Sequence, residues 1–205
     1  VTTTLMLALS NQASDFWIPQ NFDLSEALGQ TTHLAIGAHQ DDLEFMAYEG
    51  IFACYHSDEK WFTRITVTDG RGRSRMSPYS KYTDNEIHRA EQRKAAEVRQ
   101  YAAQLRLDYK SSEVKGNGRA AVTQDIVKVL RLMKPNTVYL HQPADEHDTH
   151  IAVMTAAIEA LRLTANHHQP ERIIGCEMWH GLDWLADAKK VAMDFSRYPE
   201  LFKEL

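Results

Sequence analysis

A short apolar stretch that runs into a cluster of polar residues constrains this sequence most. Residues 34–37 (Leu-Ala-Ile-Gly) are apolar and end at a glycine, a pattern that predicts a buried β-strand. His39, Asp41 and Asp42 follow at once, and residues 43–55 are typical of a helix. The polar cluster is therefore predicted at the carboxyl end of a strand, where open α/β sheets bind ligands.

Two carboxylates and an imidazole so close together have two explanations. Like charges on Asp41 and Asp42 repel, and a buried carboxylate without a partner is costly, so a divalent metal ion between these side chains would remove both problems. In the alternative interpretation, one of the two aspartates caps the following helix and His39 is an ordinary loop histidine. This segment alone leaves both interpretations open.

Composition narrows the class of protein. The 205 residues suffice for one domain, predicted over residues 1–205 with an N-terminal arm at 1–30. The net charge of -5 without a basic stripe argues against a nucleic-acid partner.

Cys54 and Cys176 are expected in the core rather than in a disulfide or metal site. No run approaches the roughly 20 apolar residues of a membrane span. Residues 5–9 lack the basic leader of a signal peptide, so a cytoplasmic location is expected.

Strand-like and helix-like segments alternate along the chain. Strands are predicted at residues 33–38, 61–68, 107–109, 137–141, 172–178 and 190–195, and helices at 43–55, 84–105, 122–133, 151–163 and 199–205. This alternation predicts an α/β fold, a Rossmann-like doubly wound, mostly parallel sheet with helices on both faces. Residues 71–82 lack periodicity, which fits either a lid over a substrate or a plain surface loop.

A second polar cluster follows the predicted strand at 137–141. It contains Asp145, His147, Asp148 and His150, and the two histidines can share one side of a first helical turn. In a doubly wound sheet, clusters at the ends of two strands meet in one crevice. Three nitrogen or oxygen ligands with an open position are typical of catalytic zinc, and imidazole with carboxylate also suits Fe²⁺ or Co²⁺. We therefore predict one catalytic metal site built from both clusters.

The two clusters together resemble the motifs of the PIG-L/LmbE-like metal-dependent deacetylases. The first family motif, A-H-P-D-D followed by x-E, is similar to residues 38–44 (AHQDDLE), and the last, P-x-D-x-H-x-D/x-H, is similar to residues 143–150 (PADEHDTH). The T-x-G turn of the family stands at residues 68–70, and its R-x-x-E-x-x-x-A-A helix motif is approximated by residues 88–96. The resemblance covers residues 33–163 in the family's order.

The resemblance also implies the role of each candidate residue. His39, Asp42 and His150 look like the zinc ligands. Asp41 looks like the general base for a metal-activated water molecule, and His147 like the residue that stabilises the oxyanion and protonates the departing amine. The remaining candidates are Asp145 and Asp148, as partners that orient the imidazoles, and Gly70, Arg71 and Arg89, as substrate contacts.

The implied activity is that of a zinc-dependent hydrolase. It would remove an acyl group, foremost acetyl, from the amide nitrogen of an N-acetylglucosamine-like or glycoconjugate substrate. Two alternatives stay open: the same chemistry on a non-sugar amide, and a non-catalytic nucleotide-binding α/β domain. Two features argue against the second alternative: the sequence has no G-x-G-x-x-G motif, and a bound pyrophosphate would lie against acidic residues. The expected partner is a small sugar-like molecule, and a homo-oligomer is left open.

Three features depart from the family pattern. Gln40 replaces the usual proline of the first motif, which is expected to loosen the corner without removing a ligand. His88 stands where the family often has an arginine, with Arg89 beside it as a substitute. Family members often continue past the last strand with further substrate-side elements, whereas this sequence ends at Leu205.

Overall fold

Six β-strands form one sheet with helices packed against it. The computed structural model describes residues 7–70, 84–178, 182–191 and 196, and these counts refer to that part of the chain. The strands are β1 (Asp15–Trp17), β2 (His33–Gly37), β3 (Phe62–Thr68), β4 (Ala103–Tyr109), β5 (Thr137–His141) and β6 (Arg172–Cys176). The helices are α1 (Leu24–Gly29), α2 (Asp42–Met46), α3 (Tyr48–Cys54), α4 (Asp84–Val98), α5 (Ser111–Lys115), α6 (Arg119–Leu130) and α7 (Asp148–Leu163), and Asp187–Lys189 forms a short 3₁₀ helix.

The order of the strands places a crevice at the end of β2. The sheet runs β1-β4-β3-β2-β5-β6, and every neighbouring pair is parallel except β1 with β4. From β2 the chain first builds β3 and β4 on one side and later β5 and β6 on the other. The order therefore reverses between β2 and β5, and the carboxyl ends of these two strands flank the point where such sheets bind ligands. The predicted mostly parallel α/β sheet is confirmed.

Helices cover both faces of the sheet, as the sequence predicts. All five residues of β2 are buried, and successive side chains point to opposite faces. Leu34 and Ile36 join a core cluster with residues of α1, α5, α6 and α7, whereas Ala35 joins a second cluster with residues of α2, α3 and α4. Cys54 lies in this second cluster and Cys176 packs against it, both as free thiols. The near-continuous apolar strands are those expected of a sheet buried on both faces.

The helix predicted at residues 43–55 is two helices. α2 ends before Ala47, whose φ of -105° and ψ of 20° are not helical, and α3 begins at the next residue. In α3, Gly50 lies against the ring of Tyr139, where an added Cβ would be 2.5 Å from a ring carbon. The break between α2 and α3 therefore occurs where α3 packs closely on the sheet. The hydrophobic periodicity of the sequence does not indicate this tertiary contact.

The helix predicted at residues 84–105 is shorter than expected. α4 ends at Val98, and Gln100 adopts a φ of 56° that ends the helical path. Residues 103–109 form β4, seven buried residues that include the strand predicted at 107–109. Their alternation of apolar and polar residues is a strand signal that the preceding alanines obscure in the sequence.

The N-terminal arm is joined to the sheet in its described part. β1 adds an antiparallel edge strand to β4. The backbone N–H of Ser10 donates to both carboxylate oxygens of Asp125 at 2.9 Å, and the hydroxyl of Tyr109 donates to the same carboxylate at 2.7 Å. The arm is thus attached to α6 through Ser10 and to β4 through β1.

Some predictions fall outside the described residues. They are the candidate lid at 71–82 with Arg71, the helix at 199–205 and most of the strand at 190–195. Of the residues that are described, no helix is long and apolar enough to cross a membrane.

Candidate metal centre

The first corner of the site is the turn from β2 into α2. Asp42 is the first residue of α2, and its Oδ2 accepts hydrogen bonds from the backbone N–H groups of Ala38 at 3.1 Å and His39 at 2.7 Å. Both donors precede the helix, so Asp42 closes the corner rather than capping α2. Asp41 occupies the N-cap position but forms no side-chain cap hydrogen bond. Neither aspartate therefore has the capping role of the alternative interpretation.

The second corner is the turn from β5 into α7. Asp145 Oδ1 accepts the backbone N–H of His147 at 2.8 Å, and Asp145 Oδ2 lies 2.9 Å from His150 Nδ1. A carboxylate beside Nδ1 holds the ring proton there and leaves Nε2 free to bind a cation. At the N-cap of α7, the Nδ1 of His147 accepts the backbone N–H of Thr149 at 3.2 Å.

The two corners converge across the crevice. His39 Nδ1 lies 3.1 Å from His150 Nε2 and 3.4 Å from Asp42 Oδ2, and His150 Nε2 lies 3.5 Å from the same oxygen. Ligands about 2.0–2.1 Å from a tetrahedral ion are about 3.3 Å apart, so these spacings match a metal site. The structure thus brings together the three residues named as ligands.

Two more imidazoles adjoin these residues. The ring centroid of His147 lies 4.9 Å from that of His39, and the ring of His141, the last residue of β5, lies 3.9 Å from that of His150. Among the described residues, two further groups of side chains have ligand atoms within 4.8 Å of one another: His39, His147 and His150, and Asp42, His141 and His150. Sequence reasoning missed His141, although it ends a strand predicted to point at this crevice.

The residues present fit a divalent cation. Asp42 is 1% exposed, and among the described residues its buried Oδ1 has no hydrogen-bond partner. Within the described part of the chain, Asp42 and Asp145 form ion pairs with histidines but with no lysine or arginine. A buried carboxylate without a permanent counter-charge is costly, and a bound cation would supply that charge.

The pKa values of the clustered side chains also reflect burial opposed by neighbouring charges and hydrogen bonds. Burial acts to raise the pKa of Asp42, but hydrogen bonds from His141, His150 and His39 outweigh burial and bring that pKa far below its ordinary value. Burial acts to lower the pKa of His150, yet the carboxylates of Asp42 and Asp145 raise it overall. Burial lowers the pKa of His141 and of His147. Positive charge is therefore most favoured on His150, where a metal ion would replace the proton.

A cavity of about 590 Å³ opens beside this cluster. Asp41 and His147 line it together with His39 and Asp42, so the two residues named as catalytic face the same space as two of the named ligands. Another part of the lining comes from α4 and the residue just after it, and includes His88, Glu91, Gln92, Ala95 and Arg99. The cavity is large enough for a small-molecule ligand.

Of the predicted substrate contacts, Gly70 lines the cavity and Arg89 does not. Gly70 has a φ of 70° and packs on the side chain of Gln40, where an added Cβ would be 2.3 Å from Oε1. Arg89 instead pairs with Asp108 of β4 at 3.0 Å and with Asp15 of β1 at 3.6 Å. Its guanidinium joins α4 to the edge of the sheet. Consecutive residues of a helix point about 100° apart, so Arg89 does not share the direction of His88, which lines the cavity.

Asp148 and Gln40 also differ from expectation. Asp148 is exposed and, among the described residues, forms no hydrogen bond or ion pair with an imidazole, so only Asp145 orients His150. Gln40 does not leave the corner loose. Its carbonyl accepts hydrogen bonds from Arg64 at 2.8 Å and Gln92 at 3.4 Å, and its amide donates to the carbonyl of Thr68 at 3.3 Å.

Fold and site together define an α/β protein with a candidate metal site at the switch point of its sheet. A model of the PIG-L family, described as GlcNAc-PI de-N-acetylase, matches residues 34–161. The chain belongs to this family. No protein with a curated function matches the sequence significantly.

Solved structures share the fold at low sequence identity. A conserved protein, TT1542 from Thermus thermophilus, is 19% identical over 71% of this chain and 66% of its own, with a TM-score of 0.57. N,N'-diacetylchitobiose deacetylase from Pyrococcus horikoshii is 23% identical over 65% of this chain and 50% of its own, with a TM-score of 0.56. GalB, the 4-carboxy-2-hydroxymuconate hydratase from Pseudomonas putida, is 20% identical over 65% and 57%, with a TM-score of 0.50. The chain thus spans half to two thirds of their lengths.

Proposed function

We propose that this protein is a metal-dependent hydrolase that removes an acyl group, foremost acetyl, from the amide nitrogen of a sugar-like substrate. The observation that carries the proposal is the convergence of His39, Asp42 and His150 beside a cavity that Asp41 and His147 also line. Family membership and a diacetylchitobiose deacetylase of the same fold support the choice of reaction and of substrate class.

His39, Asp42 and His150 are the proposed metal ligands, and ring geometry favours this set. The lone pairs of an imidazole lie in its ring plane, so two nearly parallel stacked rings cannot both point at one ion. The ring of His150 is stacked with those of His141 and His147, at interplanar angles of 11° and 25°, but is tilted by 54° to that of His39. His39 and His150 can therefore aim at one point, with Asp42 completing the set.

Asp41 and His147 are the proposed catalytic residues. A bound divalent ion supplies a Lewis acid that polarises the acyl carbonyl and makes water acidic enough to lose a proton near neutral pH. Asp41, with no cap hydrogen bond, is free to take that proton. The Nδ1 of His147 is an acceptor, so its neutral ring carries the proton on Nε2, which can donate to the developing oxyanion.

Zinc is the proposed native ion, with Fe²⁺ and Co²⁺ as alternatives, because two imidazoles and a carboxylate suit all three. We also propose that residues 1–205 form one domain and that the protein acts in the cytoplasm on a small sugar-like molecule. A measurement of molecular mass in solution would test for a homo-oligomer.

The first test is metal content and turnover of the purified protein. About one zinc or iron per chain is expected by mass spectrometry and should be lost in His150→Ala. Asp41→Asn should retain the metal and deacetylate N,N'-diacetylchitobiose about 100- to 10,000-fold more slowly than the wild type, the usual contribution of a general base. Asp58→Asn, which changes an exposed loop aspartate, is the matched control and should match the wild type in both respects.

Two results would contradict the proposal. One is a wild-type protein that binds no metal even after reconstitution at neutral pH, and the other is full turnover by Asp41→Asn. Comparison of N-acetylglucosamine with an N-acetyl amino acid distinguishes a sugar from a non-sugar amide. The hydratase of the same fold makes hydration of a double bond the reaction to exclude, and release of acetate with a free amine excludes it.

A further inference from the structure

His141 is a buried histidine that lies against the proposed metal ligands but has no role in the proposed function. It ends β5 and is 1% exposed. Its ring is stacked on that of His150 with centroids 3.9 Å apart, and its Nε2 lies 3.1 Å from Asp42 Oδ2. His141 therefore contacts a proposed ligand from each corner of the site.

The surroundings of the Asp42 carboxylate show what His141 contributes. Oδ2 accepts the backbone N–H groups of Ala38 and His39 and has His141 Nε2 as a third nitrogen neighbour. The N–H of Ala38 lies between Oδ2 at 3.1 Å and His141 Nε2 at 3.0 Å. The Ala38 N–H can thus donate to either atom. Since a carboxylate is the stronger acceptor, we assign this N–H to Oδ2 and the ring proton of His141 to Nε2, where it can donate to the same oxygen.

The two oxygens of Asp42 are thus in unlike environments. Two backbone N–H groups and, with the ring proton on Nε2, His141 hold Oδ2, whereas Oδ1 is buried and has no hydrogen-bond partner among the described residues. His141 Nδ1 is 4.0 Å from Asp145 Oδ2, beyond hydrogen-bond distance, so the proton of a neutral ring is best placed on Nε2. The donors keep the carboxylate in one orientation, in which Oδ2 lies 3.4 Å from His39 Nδ1 and 3.5 Å from His150 Nε2.

We propose that His141 is a positioning residue that donates from Nε2 to Asp42 and packs against His150, so that both ligand side chains are held ready for the ion. This inference rests on the proposed metal-dependent function. His141 is not a ligand in this proposal, because its ring is within 11° of parallel to that of His150. Outer partners of metal ligands typically contribute about 10- to 100-fold to metal affinity.

The test compares His141→Phe with His141→Gln and with His33→Phe. Phenylalanine keeps an aromatic ring on His150 but removes the N–H, whereas the amide of glutamine can reach the position of Nε2 and donate. His33 is the matched control, because it is also a strand histidine, 9% exposed, but lies at the opposite end of β2. Zinc affinity is measured by competition with a chelator, the visible spectrum with Co²⁺, and thermal stability without metal.

The expected result is a zinc affinity about 10- to 100-fold weaker in His141→Phe, partly recovered in His141→Gln and unchanged in His33→Phe. The Co²⁺ spectrum should keep its shape in all variants, because the ligand set is unchanged. Equal zinc affinities for wild type and His141→Phe would overturn the inference, as would a Co²⁺ spectrum that loses a nitrogen ligand. A wild-type protein that binds no metal would instead overturn the proposed function, and this inference with it.

Discussion

Two buried polar clusters flank the end of β2 and differ in how their charge is balanced. The metal cluster, on the side of β5, consists of His39, Asp42, His141 and His150. The arginine cluster, on the side of β3, consists of Arg64, Glu44 and Gln92. Most of these side chains are less than one tenth exposed, so both clusters must satisfy their charges largely without water.

The arginine cluster contains its own counter-charge. Arg64 is fully buried and its guanidinium forms an ion pair with Glu44. It also donates to the carbonyl of Gln40 at 2.8 Å and to the hydroxyl of Thr66 at 3.2 Å. In the metal cluster, imidazoles are the only titratable side chains that pair with Asp42 among the described residues. The two clusters therefore differ in charge: Arg64 and Glu44 neutralise each other, whereas among the described residues Asp42 has no lysine or arginine partner, so a cation would complete the metal cluster. Buried atoms without a hydrogen-bond partner among the described residues occur in both clusters, for example Arg64 Nε and Asp42 Oδ1.

The largest expected effect comes from removing charge from each cluster in turn. Asp42→Asn should abolish retention of metal through purification, because the only carboxylate among the proposed ligands is lost. Glu44→Gln is the matched control in the other cluster and should keep its metal. Equal metal content in the two variants would break the distinction between the clusters. Mass spectrometry of the purified proteins provides the measurement.

Removing the positive charge of the arginine cluster should mainly affect stability. Burial raises the pKa of Glu44, and Arg64 and then Arg99 oppose that rise, so Arg64→Met would remove the ion-pair partner of a buried acid. The loss in free energy of unfolding should be about 3–5 kcal/mol, measured by urea denaturation. The double variant Arg64→Met with Glu44→Leu should recover most of it. A single variant as stable as the double one would show that the pair does not act as a unit.

Acid should weaken metal binding. Because the pKa of His150 is raised, protons occupy its binding nitrogen as the pH falls through that pKa, while the lowered pKa of Asp42 keeps its carboxylate ionised. Zinc affinity should therefore fall about tenfold per pH unit below the pKa of His150 and level off above it. Calorimetric titrations from about pH 5 to about pH 8 would reveal this dependence. An affinity independent of pH would contradict it.

The smallest effect is expected at the corner that joins the clusters. Gln40→Pro restores the family residue and removes the long hydrogen bond to the carbonyl of Thr68 together with the packing of the amide on Gly70. Proline also restricts the unfolded chain, which adds about 0.4–1 kcal/mol. The net change in the free energy of unfolding should stay below about 1 kcal/mol, measured by urea denaturation. A loss above about 2 kcal/mol would show that the glutamine side chain holds the corner.

Much of the site could be predicted because its signals are local. His39, Asp41 and Asp42 lie within one strand-to-helix turn, and His147 and His150 within another, so each corner is visible as a short motif. Both turns follow strands whose apolar runs are unmistakable. The parallel sheet then places the two corners side by side, which follows from the alternation of strands and helices.

The errors arise where a nonlocal contact overrides the local pattern. The helix predicted at residues 84–105 is too long. Its last residues belong to β4, which pairs with β3, and a local pattern does not contain this contact between distant segments. Arg89 is predicted as a substrate contact from its position beside His88, but the fold turns it towards Asp108. The sequence predicts His141 only as the end of a strand, since its proximity to Asp42 depends on which strands are neighbours.

The sequence by itself determined the fold class, the family and the two strand-end corners, because periodicity and closely spaced motifs are properties of short segments. Only the tertiary structure decided which imidazoles are tilted towards one another and which are stacked, that Asp42 leaves one oxygen without a partner, and that Arg64 balances Glu44. These features depend on distances between residues about 20 to 110 positions apart in the chain, for example His39 and His150. No local pattern encodes such distances, which result from the order and register of the strands.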